Sequence, residues 1–233
     1  MPRYKVVNGV KVAVDASVKI YVNGRLAAEL ITNPENLEDL AVGYLYSEGY
    51  IDTLDDIVEV KVDGDAIHAK LKREVPVVGR RLEDCGVGSV VKSLAGKSLV
   101  SPKMMIELAG EFSKLTIWHV ESHLAMHTSA LYLDGEWLVV HDTSRHSGVV
   151  KLVGKYLRRH PARLKLAYTT GRVSSDMIYR LASIGVDGIV SLRGPLHSGV
   201  EAACMLGIPL VANVRNLGFT VLCDGHDVRK ILE

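Results

Sequence analysis

The sequence predicts an α/β protein with a β-rich N-terminal lobe carrying one helix over residues 1–75, a flexible cysteine-bearing connector over 76–100, and an α/β lobe over 101–233. Three observations carry that division. The first 75 residues alternate apolar and polar side chains, with tight-turn dipeptides between the runs. From Leu164 onward, short continuous apolar runs alternate with helical patterns, as expected of βαβ units and a largely parallel sheet segment. Between them, V-P-V-V-G-R-R-L-E-D-C-G-V-G-S follows neither period and is rich in glycine and basic residues.

The elements follow in order. Y-K-V-V, V-K-V-A-V and V-K-I-Y-V read as strands, and Val22 to Arg25 (V-N-G-R) is a tight hairpin turn leading into Leu26 to Ile31. A helix starts near Pro34 and ends at Gly49, with Leu37, Leu40, Ala41, Tyr44 and Leu45 on one apolar face. I-V-E-V-K-V-D-G-D-A-I-H-A-K-L is a second hairpin, turning at Asp63 and Gly64. Ser101 caps a helix whose first residue is Pro102. A third hairpin turns at Asp134 and Gly135. Val149, Val150, Leu152, Val153, Tyr156 and Leu157 mark an amphipathic helix after it. The strands L-K-L-A-Y-T-T, D-G-I-V-S-L and I-P-L-V-A-N-V then alternate with the helices S-S-D-M-I-Y-R-L-A-S-I-G and H-S-G-V-E-A-A-C-M-L-G.

Composition bounds the function. The chain has 233 residues, 48% of them hydrophobic, and a formal net charge of +1, so it is expected to be globular with no basic field for nucleic acid. No run of about 18 apolar residues exists to span a membrane, and M-P-R-Y-K lacks the apolar core of a signal peptide. Three cysteines without a secretory signal point to the reducing cytoplasm, where disulfides are not expected.

Candidate chemistry clusters at loops. In a parallel sheet, ligands bind beyond the carboxyl ends of the strands, against helix N-termini. The loops 169–175, 191–198 and 213–218 fall there, each with one arginine and one glycine. Together they suit an anionic, phosphate-bearing ligand, and equally a solvated rim. Asp142, Arg145 and His146 stand between a strand and the amphipathic helix. Asp142 or Ser144 can cap that helix, while the Arg–His pair can form an anion-binding corner. His119, His123 and His127 are spaced four apart and would share a metal-binding face on a continuous helix, but the strand from Ala130 implies that the helix stops before His127. A-G-K-S (95–98) lacks the earlier glycine of a P-loop, since Val91 holds its place, and G-V-G (86–88) is no dinucleotide fingerprint. Cys204 falls on an apolar helix face and Cys223 at a strand end. Cys85 lies in the glycine-flanked loop, where Arg80 and Arg81 would lower its pKa while Glu83 and Asp84 would raise it; residue chemistry alone leaves its role open.

Four segments in order resemble the FdhD family, the formate dehydrogenase accessory sulfurtransferases. N-P-E-N-L-E-D-L-A-V-G-Y-L-Y-S-E-G-Y-I is similar to the family's T-P-x-x-x-x-x-L-A-x-G-F-L-x-x-E-G-I. D-T-S-R-H-S-G-V-V-K-L-V-G-K resembles E-D-V-G-R-H-N-A-V-D-K-V-I-G and keeps Asp142, Arg145, His146, Lys151 and Gly154. T-G-R-V-S-S-D-M and L-G-I-P-L-V-A-N-V-R resemble S-G-R-V-S-x-E-M and L-G-I-T-L-V-G-F-x-R.

The resemblance implies a cytidine-deaminase-like C-terminal lobe and a homodimer. It also implies a persulfide carried from a cysteine desulfurase to the bis(molybdopterin guanine dinucleotide) form of the molybdenum cofactor, for insertion into formate dehydrogenase. That cofactor would be bound as a substrate, and the protein is expected to hold no tightly bound metal of its own. Cys85 matches the first cysteine of the family's C-G-x-C-G motif and becomes the persulfide carrier. Asn213, Val214, Arg215, Asn216, Leu217 and Gly218 match the guanine-dinucleotide loop. Rim position adds Arg145, His146, Arg172, Arg193 and the backbone of Gly171, while His127 is what remains of the family's T-G-G-x-H segment. Departures from the family pattern are Gly88 in place of the second motif cysteine, and His141, Ser144 and Ser147 in place of Glu, Gly and Asn. One thiolate suffices to carry a persulfide. The alternatives are a non-catalytic chaperone for the same cofactor and a metal hydrolase using the histidines.

Overall fold

Asn–Gly and Asp–Gly pairs set the strand pairing of the protein. In the computed structural model, which describes residues 1–77, 80–81, 100–122, 124–159, 161–215 and 218–223, β1 (Tyr4–Val7) and β2 (Val10–Ala13) turn at Asn8–Gly9 and form a two-stranded ribbon. β3 (Ala16–Val22) and β4 (Arg25–Thr32) turn at Asn23–Gly24. The φ values of 47° and 80° at Asn23 and Gly24 lie in the left-handed region, which a two-residue hairpin requires and which asparagine and glycine adopt at least cost. After α1 (Leu37–Ser47) come β5 (Ile57–Asp63) and β6 (Ala66–Leu71), and β7 (Arg80–Arg81) completes a five-stranded sheet in the order β5-β6-β3-β4-β7. Val18, Ile20, Leu30 and Ile67 of that sheet bury against Leu40, Tyr44 and Leu45 of α1.

The α/β lobe follows the expected alternation. α2 (Pro102–Leu115) is capped by the Ser101 hydroxyl, which accepts from the Met104 N–H at 3.3 Å. After α3 (Ile117–Val120) come β8 (His127–Leu133), β9 (Glu136–Asp142), α4 (Arg145–Leu157), β10 (Lys165–Thr169), α5 (Ser175–Ser183), β11 (Gly188–Ser191), α6 (His197–Met205), β12 (Leu210–Arg215) and β13 (Gly218–Cys223). They form a sheet in the order β13-β12-β11-β10-β8-β9, in which β10, β11 and β12 are mutually parallel. Helices α4, α5 and α6 cover one face, and α2 covers the other through Met105, Leu108 and Phe112. Cys204 is fully buried in α6, as its apolar helix face predicts, and Cys223 closes β13.

Three local readings are corrected. The first helix begins at Leu37, not near Pro34, because Asn36 takes a left-handed φ of 54° at the N-cap. The second hairpin turns one residue later, at Gly64–Asp65, with β5 running through Asp63. Arg80 and Arg81, read as connector, pair in parallel with Ala28 and Glu29 at the edge of β4.

The two lobes share one packed seam. α1 and α4 cross at Gly43 and Gly154, where a Cβ on either glycine would collide with backbone of the other helix: that of Gly43 with the Val150 carbonyl, that of Gly154 with the Asp39 carbonyl. The Arg180 side chain, 1% exposed, reaches from α5 to the end of α1. It donates to Ser47 Oγ at 2.7 Å and Glu48 Oε1 at 2.6 Å while holding Asp176 through Nε. Substituting Gly43→Ala should therefore force the helices apart and cost about 2–3 kcal/mol, read as a lower denaturant midpoint; an unchanged midpoint would contradict the close crossing.

Candidate functional site

Strand direction gathers the candidate residues on one rim. β10, β11 and β12 are parallel, so Thr169, Ser191 and Arg215 end on the same side of the sheet. β8 runs the opposite way, which brings its first residue, His127, to that side, and β9 returns so that Asp142 pairs with His127. Helices α4, α5 and α6 all begin there, with positive dipole ends toward the same edge. Five separate stretches of sequence thereby meet.

Hydrogen bonds hold the rim loops in place. Thr128 N–H donates to Thr170 Oγ1 at 2.9 Å, and Thr170 N–H returns to the Thr128 carbonyl at 2.9 Å. Ser191 Oγ donates to the Gly171 carbonyl at 2.8 Å and accepts from Arg193 N–H at 3.1 Å. Asn213 N–H donates to the Arg193 carbonyl at 3.2 Å, and Asn213 itself takes a left-handed φ of 58°. Its Oδ1 lies 3.3 Å from where a Cβ of Gly194 would stand. The predicted loops at 169–175 and 191–198 and the strand end 213–215 are thus one connected edge. Arg172 and Arg193 are exposed on it, and His127, Arg145 and His146 are half-buried. His146 Nε2 lies 3.3 Å from Ser174 Oγ, which joins the starts of α4 and α5.

His127, Arg145 and Gly171 form the tightest corner. A Cβ on Gly171 would stand 3.0 Å from Arg145 Cβ and 3.5 Å from His127 Nδ1. Burial, with the Arg145 and Arg193 guanidiniums adding to it, pulls the His127 pKa below its ordinary 6.5; Asp142 opposes the shift. His127 is therefore neutral at pH 7.

Asp142 proves to be the hub beneath this corner rather than a rim ligand. Its carboxylate is fully buried and accepts at Oδ1 from the N–H groups of Ser144 (2.8 Å) and Asn33 (3.3 Å), and at Oδ2 from Thr32 Oγ1 (2.7 Å) and Lys151 Nζ (2.7 Å). Lys151, 1% exposed, also donates to the Asn33 carbonyl at 2.6 Å. Burial pulls the lysine pKa down and Asp142 opposes that. Ser144, not Asp142, caps α4, accepting from Ser147 N–H at 3.4 Å. The sequence reading gave Thr32, Asn33 and Lys151 no role. A signal existed for Lys151 alone, a lysine inside the apolar run V-V-K-L-V.

Cys85, with its flanking Glu83, Asp84 and Gly88, lies outside the described residues, as do Asn216 and Leu217. The backbone of Arg215 pairs with Gly218 across β12 and β13. The three-histidine helix face does not form: α3 ends at Val120 and His127 starts a strand, while His123 is outside the described residues. Among the described residues, no group of three or more His, Cys, Asp and Glu side chains is placed to hold a metal ion. Among them, too, no helix is long and apolar enough to cross a membrane.

The sequence profile of the FdhD/NarQ family matches residues 13–229. The chain belongs to the FdhD/NarQ family. It is 29% identical over 227 residues to the sulfur carrier protein FdhD of Methanothermobacter thermautotrophicus, covering 91% of this chain and 88% of that one. It is 30% identical over 222 residues to the protein of the same name from Staphylococcus aureus strain MRSA252, covering 87% and 83%. Its fold matches the crystal structure of a protein from Desulfotalea psychrophila described as a formate dehydrogenase accessory protein, with a TM-score of 0.71 and 23% identity over 96% of this chain and 95% of that one. In this family member the segment 142–154, singled out by its resemblance, supplies both the buried hub and the rim pair Arg145 and His146.

Two expectations follow. Asp142→Asn strips the buried ammonium of its counter-charge and should cost about 3–5 kcal/mol, with Asp142→Asn/Lys151→Met less destabilised than the two single substitutions summed; additive losses would show that the pair is not coupled. An NMR titration of His127 should give a midpoint below 6.5. Because the folded pKa lies below the unfolded value, the histidine's contribution to stability is complete above pH 6.5 and is lost as the pH falls through the folded pKa. A midpoint at or above 6.5 would contradict the buried, cation-flanked environment.

Proposed function

We propose that this chain is a sulfur carrier acting in formate dehydrogenase maturation, taking sulfur at Cys85 and delivering it to a guanine-dinucleotide molybdenum cofactor held on the rim. The observation that carries the reading is the convergence of Arg145, His146, Arg172 and Arg193 with the Asn213–Arg215 strand end on one edge, against three helix N-termini. Relatives named sulfur carrier protein FdhD across 83% or more of their own length support it, as does the fold shared with a formate dehydrogenase accessory protein. The order β9-β8-β10-β11-β12 with α4, α5 and α6 on one face supports the cytidine-deaminase-like reading of the lobe.

In the loading step, the Cys85 thiolate attacks the terminal sulfur of a persulfide on a cysteine desulfurase. A new S–S bond forms at Cys85, the donor's S–S bond breaks, and its cysteine leaves as thiolate. The molybdenum cofactor is cargo in this scheme. Guanidinium groups and helix ends hold its phosphates, and residues 213–218 are assigned its guanine by the family resemblance. The cargo's dinucleotide form, the desulfurase, the client enzyme, the homodimer and the cytoplasmic setting all belong to this proposal.

A cofactor chaperone without sulfur transfer is the second reading, favoured by Gly88 in place of the family's second cysteine. Intact-mass spectrometry after incubation with a cysteine desulfurase and cysteine separates the two. The carrier reading expects a gain of one sulfur, reversed by reductant and absent in Cys85→Ala. An unchanged mass alongside retained cofactor binding would give the chaperone.

A further inference from the structure

The end of the C-terminal sheet away from the rim carries a local charge that the chain as a whole does not. Residues 155–165 supply Lys155, Arg158, Arg159, Arg163 and Lys165 and no Asp or Glu, in a chain whose formal net charge is only +1. They run from the last turn of α4 to the first residue of β10, at the opposite end of that strand from Thr169. Two grooves flank this loop and share Leu157, Arg159 and Pro161 as a common wall. One, of about 800 Å³, is lined on its apolar side by Leu54, Leu133 and Ala162. The other, of about 320 Å³, is walled by Tyr46 and Tyr156 and closed by Ile184 and Gly185 just beyond α5.

Little carboxylate charge answers these cations. Asp134 accepts from the backbone N–H groups of Arg163 and Leu164, both at 2.9 Å. Glu136, 81% exposed, approaches Arg159 only to 3.8 Å. The Lys155 and Lys165 ammoniums rest on carbonyls, those of Val139 at 3.0 Å and Ala162 at 3.2 Å, which satisfy a donor without cancelling its charge. Arg158 is matched closely, by Glu38 at 3.2 Å and Asp39 at 3.0 Å. The Tyr46 hydroxyl donates to the Ser183 carbonyl at 3.2 Å, which fixes its ring as a groove wall. Burial raises the pKa of both tyrosines, so they add aromatic surface and no negative charge. Tyrosine, arginine and partly exposed aliphatic groups around a concavity are the makings of a protein-binding hot spot.

Shape and charge together select the occupant. A bilayer surface is broad and flat and does not enter two grooves on either side of a loop. A peptide can place apolar side chains in the grooves and carboxylates on the flanking cations. We propose that this end of the sheet is a docking surface for an acidic segment of a partner protein, with spaced apolar side chains seated in the grooves and carboxylates on Arg159, Arg163 and Lys165. Its place opposite the rim lets partner and rim ligand occupy one molecule together. The inference does not depend on the function proposed above.

Fluorescence anisotropy of the full chain with fluorescein-labelled peptides of four Glu-Glu-Leu or four Glu-Glu-Ser repeats tests it. The leucine peptide should bind saturably, more weakly as salt rises, and about tenfold tighter than the serine peptide. Arg159→Glu should weaken it about tenfold and Lys165→Gln about threefold. Lys19→Glu, on the face of the five-stranded sheet turned away from α1, should leave it unchanged. Arg159 and Lys19 are exposed, so both variants should melt with the wild type, and Lys165→Gln keeps the test if Arg159→Glu does not fold. Excess GDP should not displace the peptide, and hydrogen-exchange protection should fall on 133–136, 156–159 and 183–185. Equal binding of the two peptides, insensitivity to Arg159→Glu and Lys165→Gln, displacement by GDP, or no saturable binding would overturn the proposal. So would Arg159-dependent binding to vesicles of phosphatidylcholine and phosphatidylglycerol with neither peptide bound, which would assign the patch to a lipid surface.

Discussion

The Asp142–Lys151 ion pair is the constraint on which the rest of the molecule depends. Both side chains are buried, and a lone charge at either position would cost several kcal/mol. The pair is tolerable because the carboxylate accepts four hydrogen bonds, two of them from Thr32 and Asn33 in the N-terminal lobe. Asn33 is used on every side. Its N–H serves Asp142, its carbonyl takes Lys151, and its side chain bonds Arg3 and Val14 at the base of the β1–β2 ribbon. One residue at the end of β4 thereby ties the N-terminal ribbon, the five-stranded sheet and α4 together.

This junction explains how a chain of two lobes builds a single rim. The rim belongs to the C-terminal sheet, yet the start of α4, from which Arg145 and His146 project, is positioned by the N-terminal lobe through Asn33 and through the bond from Ser147 Oγ to the Ile31 carbonyl at 2.7 Å. Gly43 and Gly154 bring the helix backbones close enough for these short polar contacts to close. Arg180, anchored to Ser47 and Glu48, ties α5 to α1 in the same way. Each glycine that the family resemblance picks out in these two helices has a packing reason here, and Asp142 and Lys151 have an electrostatic one. The segment 142–154 therefore packs the junction with its buried face and places Arg145 and His146 on the rim at its N-terminal end.

Local chemistry was legible in the sequence wherever it was local. The Asn23–Gly24 and Asp134–Gly135 turns, the Ser101–Pro102 start of α2 and the alternation from Leu164 onward all stand as read. So does the gathering of the strand ends at Thr169, Ser191 and Arg215 on one edge, because parallel strands separated by short helices leave their carboxyl ends together. What could not be read depends on distant partners. Thr32 and Asp142 are 110 residues apart, and no period or cap rule links them. The two-residue strand β7 has no pattern of its own and exists only through the edge of β4. That the buried hydroxyls of Ser129 and Thr143 find no hydrogen-bond partner among the described residues became visible only once β8, β9 and α4 were assembled.

If the site is as proposed, five stretches of chain form one ligand edge. Hydrogen–deuterium exchange of the full protein with and without GDP, as a probe for the guanine dinucleotide, tests it most directly. A shared edge requires simultaneous protection at 127–129, 143–146, 170–173, 191–194 and 213–218, with the distant β5–β6 hairpin unchanged. Protection confined to one stretch, or lying on the opposite end of the sheet around 134–136 and 161–165, would contradict it.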